Sequence, residues 1–193
     1  IARGGPPAAD PVYPRLSMLN IALGGSFTSR LNQNLREDHG WTYGVRSRFN
    51  AQRGPSMFVV RAAIRADAIS PALGETRKEV AKMAKDGVTD PEVEKLRALI
   101  NGEALETYST LHSATGTLAS NAALGLAPDQ DAKDLAAQRS ATPADLGQLA
   151  AQYLDLSRAT VVLVGPKEAA VKALEDNGLP KPIFVDGEGR PAK

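Results

Sequence analysis

The chain has 193 residues, of which 42% are hydrophobic and 23% charged, and its formal net charge is +1. This is the composition of an ordinary globular domain, and so small a charge gives no reason to expect nucleic acid or an anionic membrane as the main partner. No apolar run reaches the length of a membrane span, and the lack of cysteine excludes disulfides and thiol nucleophiles.

Residues 1–5 are typical of the end of a strand that runs into a turn. No capping feature precedes them, so we expect a fragment or a processed half of a longer polypeptide that lacks its first strand. We treat residues 1–193 as one domain with a tail at 180–193. Apolar residues recur at helical spacing from Tyr13 to Leu23, and Gly24-Gly25 ends this helix.

A second helix, a stop and a strand follow. Ser26 is placed to cap the helix, and Gly40 is placed to stop it in a left-handed turn. The apolar positions of this helix recur every four residues, at Phe27, Leu31 and Leu35. This arrangement would bring the guanidinium of Arg36 and the phenol of Tyr43 to the same corner of the fold.

Two segments with period-two alternation, 41–52 and 56–66, predict an antiparallel hairpin. We expect one face of the hairpin to carry Tyr43, Val45, Ser47 and Phe49 from the first strand and Phe58, Val60, Ala62 and Ile64 from the second. The other face would then carry four arginines, at positions 46, 48, 61 and 65.

Helical patterns dominate the second half of the chain. We expect helices over 68–86, from Asp90 through Leu105 and as far as Leu111 or beyond, after Asp129, from Thr142 to near Leu156, and over 167–177. The continuously apolar residues 160–165 predict a central strand buried on both faces, and 183–185 a short last strand. This order predicts an α+β, two-layer domain: a mixed or mainly antiparallel sheet with helices packed on one face.

Residues 23–31, 35–40 and 42–44 resemble the pitrilysin/insulinase-type zinc metallopeptidases, and more narrowly the opening of their second, non-catalytic half. Supporting similarity at 89–94, 142–145 and 161–165 extends the resemblance over roughly residues 10–166. It implies the LuxS/mitochondrial processing peptidase-like metallohydrolase fold.

In that family one half carries the zinc motif H-x-x-E-H, and a similar half without zinc closes against it to form a chamber. This chain has no such motif, since His39 is followed by Gly40-Trp41 and His112 by Ser113-Ala114. The resemblance therefore implies the auxiliary half, inactive alone and without a metal of its own. Zinc is expected in a partner half, in the same polypeptide or on a separate subunit.

The family's non-catalytic half holds the substrate peptide with an arginine and a tyrosine seven positions apart, and Arg36 and Tyr43 match this spacing. The resemblance also places Gly24, Gly25 and Ser26 near the substrate cleft. A neutral phenol and a permanently charged guanidinium suit peptide carbonyls and carboxylates, but neither activates water alone. The structural alternatives are a surface ion pair, a half-buried aromatic and a tight turn.

Other interpretations stay open. Some members of the superfamily are structural or assembly subunits, so a scaffold or peptide-binding subunit without a proteolytic role is the alternative. The four arginines of the hairpin form either a solvated sheet face or a basic lining of the peptide chamber. Bacterial relatives are frequently exported, which favours the periplasm without fixing the compartment. A half without its partner exposes an interface, so the isolated domain could form a homodimer.

Overall fold

The computed structural model describes residues 1–191. One antiparallel sheet consists of β1 (Ala2–Gly5), β2 (Thr42–Phe49) and β3 (Ser56–Ile64), with β3 in the centre. The predicted hairpin is therefore present as β2 and β3.

The helices begin with two short ones that precede the hairpin, α1 (Tyr13–Asn20) and α2 (Arg30–Asn32). Each continues into a wider π-helical segment, Ile21–Gly25 and Gln33–Asp38 respectively. A 3-10 turn (Ala66–Ala68) follows the hairpin. The remaining helices are α3 (Ile69–Asp86), α4 (Asp90–Thr107), α5 (Leu111–Leu124), α6 (Gln130–Arg139), α7 (Pro143–Tyr153) and α8 (Lys167–Asp176).

The main core lies between one face of the sheet and the helices. The sheet contributes the buried side chains of Val45, Phe49, Phe58 and Val60, and the helices contribute leucines from α1, α2 and α7 together with apolar residues of α3 and α4. Helix α3 packs against α7 and α8, and α1 packs against α6 and α7. This arrangement confirms the predicted α+β class, a sheet with helices on one face. Within residues 1–191, no helix combines the length and the apolar character needed to cross a membrane.

The second helix begins later than the sequence predicted. Ser29, not Ser26, precedes α2, and Phe27 lies outside the helix and is 60% exposed. The hydroxyl of Ser26 donates instead to the backbone oxygen of Ile21, at 3.1 Å. The four-residue repeat was misleading at its first member because Phe27 packs its ring on the guanidinium of Arg36 rather than on the core.

The helix from Asp90 stops at Thr107, and α5 starts as a separate helix. The side chain of Thr110 accepts a hydrogen bond from the backbone N–H of Ser113, at 3.1 Å, and so caps the new helix. The prediction that one helix continues to Leu111 or beyond was therefore wrong, although Gly102 is tolerated inside α4.

The prediction of a central strand at 160–165 was also wrong. In this segment Thr160 alone forms a bridge, with Ala2, and Val162 and Val164 are 67% and 96% exposed. The segment lines one side of a groove of about 600 Å³ that β3 and α3 border on the other. Its Val161 and Leu163 pack against the small apolar cluster around Leu73 rather than in a sheet interior. Residues 183–185 likewise form no strand, and Val185 makes a single bridge to Pro191.

Candidate functional site

The helical segment that contains Arg36 ends just before β2 begins. The π-helical segment that contains Arg36 ends at Asp38, and Gly40 has a φ of 62°, a left-handed conformation that glycine adopts without strain. The N–H of Gly40 donates to the backbone oxygen of Arg36 at 3.1 Å, which closes the helix end. The predicted glycine stop is confirmed, and β2 begins two residues later.

A β-bulge interrupts β2 at Tyr43-Gly44. The pairs on either side are Thr42 with Ile64 and Val45 with Ala62, so two residues of β2 lie opposite one residue of β3. Both Thr42 and Val45 are buried, whereas Tyr43 is fully exposed. The prediction that Tyr43 shares the inward face with Val45 was therefore wrong, because a bulge changes which way the following side chains point.

The hydroxyl of Thr42 holds this bulge in place. It accepts a hydrogen bond from the N–H of Gly44 at 3.1 Å and donates to the backbone oxygen of Ala63 at 2.7 Å. These two contacts satisfy backbone groups that the interrupted ladder would leave unpaired. The outward direction of Tyr43 is therefore built into the backbone and does not depend on a loop.

Arg36 is engaged by its own neighbours. Its Nη1 atom lies 2.6 Å from Oε1 of Glu37, and its Cζ atom lies 4.1 Å from the ring centroid of Phe27. Within residues 1–191 no hydrogen bond joins Arg36 to Tyr43. The two residues lie on either side of the same helix end and strand start.

The glycine segment after α1 packs directly against β2. A Cβ atom on Gly24 would lie 2.5 Å from Oγ of Ser47, and one on Gly25 would lie 2.8 Å from Nδ2 of Asn20. Such separations are too short for any side chain, so the two glycines are needed for this close approach. The Nη1 atom of Arg46 also lies 3.4 Å from the backbone oxygen of Gly25.

Side chains from the helices close the outer edge of β2. The Nδ2 atom of Asn20 donates to the backbone oxygen of Ser47 at 2.9 Å, and the hydroxyl of Tyr13 donates to the backbone oxygen of Phe49 at 2.8 Å. An edge strand without such partners presents free backbone groups to any other strand. These contacts occupy the carbonyl oxygens of Ser47 and Phe49 and disfavour strand addition along this part of β2.

Asn32 covers the part of this edge that lies nearest to Tyr43. Its Nδ2 donates to the backbone oxygen of Val45 at 3.0 Å, and its Oδ1 accepts from the N–H of Val45 at 2.9 Å. The same Nδ2 also contacts the backbone oxygen of Ser26 and the hydroxyl of Ser29. The sequence analysis missed Asn20 and Asn32, although an amide beside the leucines of an apolar helical stripe was a usable signal.

An ion pair anchors α2 to the start of α4. Arg30 forms two parallel hydrogen bonds with Glu92, at 2.8 and 2.7 Å, and also donates to the backbone oxygen of Gly87. Glu92 accepts from the N–H of Thr89 as part of a capping box. Burial alone would raise the pKa of Glu92, but the hydrogen bonds from Arg30 and Thr89 outweigh it and lower this pKa to about 2.

The described residues do not fit a zinc site. Within residues 1–191, no three side chains of the types that bind metals in proteins come together. His39 stacks on the ring of Trp41, with ring centroids 4.0 Å apart, and His112 is exposed on α5. The exposed side chains of β2 on this surface, Tyr43, Arg46 and Arg48, are hydrogen-bond donors.

The chain resembles known proteins in sequence. An uncharacterized zinc protease of Streptomyces coelicolor is 29% identical over 166 residues, which are 83% of this chain and 35% of the relative. An uncharacterized zinc protease of Bacillus subtilis is 29% identical over 98 residues, 51% of this chain and 24% of that protein. The chain thus spans about a quarter to a third of the length of these relatives.

The fold has solved counterparts as well. The peptidase M16 inactive domain from Pseudomonas fluorescens superimposes with a TM-score of 0.73 at 24% identity, over 80% of this chain and 37% of that one. The sequence profile of the family described as the peptidase M16 inactive domain matches residues 1–100. The chain belongs to this family, the inactive domain of the M16 zinc peptidases.

Proposed function

We propose that this domain holds an extended peptide beside the zinc site of a partner half, with Tyr43 and Arg36 as its main contacts. The observation that carries the proposal is the full exposure of Tyr43 on a bulge whose backbone is fixed by Thr42. An exposed tyrosine contributes little to the stability of its own fold. A rigid strand that presents one is well suited to bind a ligand.

The chemistry of the two side chains supports this role. A phenol donates a hydrogen bond while neutral near pH 7, and a guanidinium donates several in a fixed plane. Both fit the carbonyl oxygens of an extended peptide. Zinc in a partner half would supply the Lewis acid for amide hydrolysis. The residues of this chain would then bind and orient the substrate.

The segment Gly24-Gly25-Ser26 is proposed to border the same peptide path. Its close packing on β2 brings its backbone beside the strand that carries Tyr43. Arg36 would have to leave Glu37 to reach a peptide. The ion pair is short but partly exposed, and such pairs are worth only about 0–1 kcal/mol. A bound carboxylate or carbonyl can therefore displace Glu37 at little cost.

The test combines the domain with its zinc-bearing half and follows cleavage of a quenched fluorescent peptide. We expect Tyr43→Phe to lower kcat/KM about 10- to 100-fold, since one hydrogen bond to a group that carries charge contributes about 1.5–3 kcal/mol, with zinc content unchanged. The matched control is Tyr108→Phe, which removes the hydroxyl of another exposed tyrosine, one that donates to Asp131. Equal turnover by wild type and Tyr43→Phe would refute the proposal.

A structural or peptide-binding subunit without a proteolytic role is the second candidate. The observation in its favour is that Arg36 is occupied by Glu37 and Phe27. Under this alternative, Arg36→Ala and Tyr43→Phe would leave the activity of any zinc-bearing partner unchanged. Loss of partner association after substitutions elsewhere on the surface would then support a structural role for the domain.

A further inference from the structure

Three arginines share the open face of the sheet, opposite the helices. Arg46 and Arg61 are direct cross-strand partners on β2 and β3, and Arg48 lies two residues beyond Arg46 on the same face of β2. All three are exposed. The three strands contain no acidic residue, so the sheet itself supplies nothing to neutralise them.

This arrangement is unfavourable without a counter-charge. Like charges placed directly opposite each other on neighbouring strands destabilise a sheet. Within residues 1–191 none of the three arginines forms an ion pair, whereas Arg30 and Arg65 each pair with a carboxylate. The one hydrogen bond in this group, from Arg46 to the backbone oxygen of Gly25, is long at 3.4 Å and uses a neutral acceptor. The face therefore keeps unused donors and uncompensated positive charge.

The basic face is continuous with the surface that carries Tyr43. Arg46 and Arg48 follow Tyr43 on β2 by three and five residues, which is about 10 and 17 Å along a strand. An extended peptide has nearly the same rise per residue. A peptide held at Tyr43 and running along β2 would thus bring side chains three to five residues away over the arginines.

We propose that Arg46, Arg48 and Arg61 form a carboxylate-binding face that selects peptides with acidic residues three to five positions from the residue at Tyr43. This inference rests on the proposed peptide-binding function. The partner is an acidic peptide segment, because charge complementarity favours carboxylates and the guanidinium fork binds them through paired hydrogen bonds. The chain as a whole is nearly neutral, which does not favour a nucleic acid on this face.

The first test is direct binding to the 193-residue chain, with no need for cleavage. Two labelled peptides differ only in glutamate or glutamine at the third to fifth positions from a common hydrophobic residue. We expect about tenfold tighter binding of the glutamate peptide at low salt, with the difference shrinking as salt rises. The double variant Arg46→Gln/Arg61→Gln should abolish this preference.

The matched control is Lys82→Gln/Lys85→Gln, which removes the same charge from exposed positions on α3. This variant should keep the preference for the glutamate peptide. Equal affinity for the two peptides, or an equal loss of preference in both double variants, would overturn the proposal. Tighter binding of a single-stranded oligonucleotide of matched charge would also overturn it, as the face would then be a general polyanion site.

The second test separates this inference from the proposed function. In the assembled enzyme, Arg46→Gln/Arg61→Gln should lower kcat/KM about tenfold for the glutamate substrate and less than twofold for the glutamine substrate. Tyr43→Phe could leave cleavage intact while the arginine variant changes the ratio of kcat/KM between the glutamate and glutamine substrates. This result would refute the role of Tyr43 and support the basic face. If Tyr43→Phe lowers cleavage and the ratio does not change, the basic face fails alone.

Discussion

Replacing Asn32 tests whether the closed edge of β2 is an essential part of this fold. The side chain is 3% exposed and makes hydrogen bonds to both backbone groups of Val45 and to the backbone oxygen of Ser26. Leucine has the same branched arrangement of side-chain heavy atoms and a larger volume, so Asn32→Leu leaves little room for a replacement water. It would leave the N–H and the carbonyl of Val45 without partners.

The expected cost follows from these two groups. Each buried backbone group without a partner costs about 1–3 kcal/mol, and the added apolar burial recovers only part of this. We therefore expect Asn32→Leu to lower the free energy of unfolding by about 3 kcal/mol. The assay is urea unfolding followed by far-UV circular dichroism, with the variant Asn101→Leu as control, which removes only one acceptor for Arg139.

The variant Asn32→Asp tests the same edge through the pH dependence of stability. An aspartate keeps an acceptor for the N–H of Val45, but its second oxygen faces the carbonyl oxygens of Val45 and Ser26. Burial and this repulsion should raise the pKa of the new carboxyl in the folded state. Its protonated form, which can donate, is the one that fits.

A raised pKa makes the variant more stable at low pH, and this stability is lost as the pH rises through the folded-state pKa. The gap between wild type and Asn32→Asp should thus narrow from pH 7 to pH 5. A gap that widens as the pH falls, or an Asn32→Leu variant within about 1 kcal/mol of wild type, would refute the account of this edge.

Further predictions concern the elements that position the site. Glu92→Gln should lower the free energy of unfolding at pH 7 by about 1–2 kcal/mol, a value reduced for partial exposure. Because the pKa of Glu92 is lowered to about 2, this difference should persist above about pH 4.5 and vanish as the pH falls towards 2. Gly24→Ala should lower the free energy of unfolding by about 1–3 kcal/mol, because the added Cβ would clash with Ser47. Gly102→Ala, which has open space around it in α4, should raise the free energy of unfolding by about 0.5–1 kcal/mol. Thr42→Val should lower the free energy of unfolding by about 1–2 kcal/mol and reduce the reactivity of Tyr43 towards tetranitromethane. Thr42→Ser keeps the hydroxyl and should therefore have the stability and the Tyr43 reactivity of wild type.

Three outcomes would contradict these predictions. One is a Glu92→Gln difference that grows below pH 4. Another is a Gly24→Ala variant as stable as Gly102→Ala. The third is a Thr42→Val variant whose Tyr43 reacts as fast as that of wild type.

The sequence predicted the order of elements well, because apolar period and capping residues are local signals. Thr142-Pro143 and Asp90-Pro91 each open a helix where expected, and both helices have a capping box in the structure. The apolar run at 160–165 carried the same signal as a buried strand. Whether such a run is central depends on which strands lie beside it, and that is a tertiary property.

Tyr43 shows what could not be predicted from the sequence at the candidate site. A strict period of two places it inward with Val45, and nothing in the local sequence marks the bulge except the adjacent glycine. The bulge depends on Thr42, whose hydroxyl contacts Ala63 on the neighbouring strand. Sequence reasoning therefore proposed Tyr43 as a site residue through its family resemblance and predicted the direction of its side chain wrongly.

The closed edge and the basic face together constrain how a peptide can bind here. On the outer side of β2, the carbonyl oxygens of Val45, Ser47 and Phe49 already accept hydrogen bonds from helix side chains. If a peptide binds at Tyr43 as proposed, these occupied carbonyl oxygens disfavour its joining the sheet as a further strand, so its backbone would gain little sequence-independent affinity from β2. Under the proposed function its affinity would then come mainly from side-chain donors, namely the Tyr43 phenol and the neighbouring arginines. Binding of this kind depends on what the peptide's own side chains present, and it follows that the arginine face should set the selectivity of the domain for peptides.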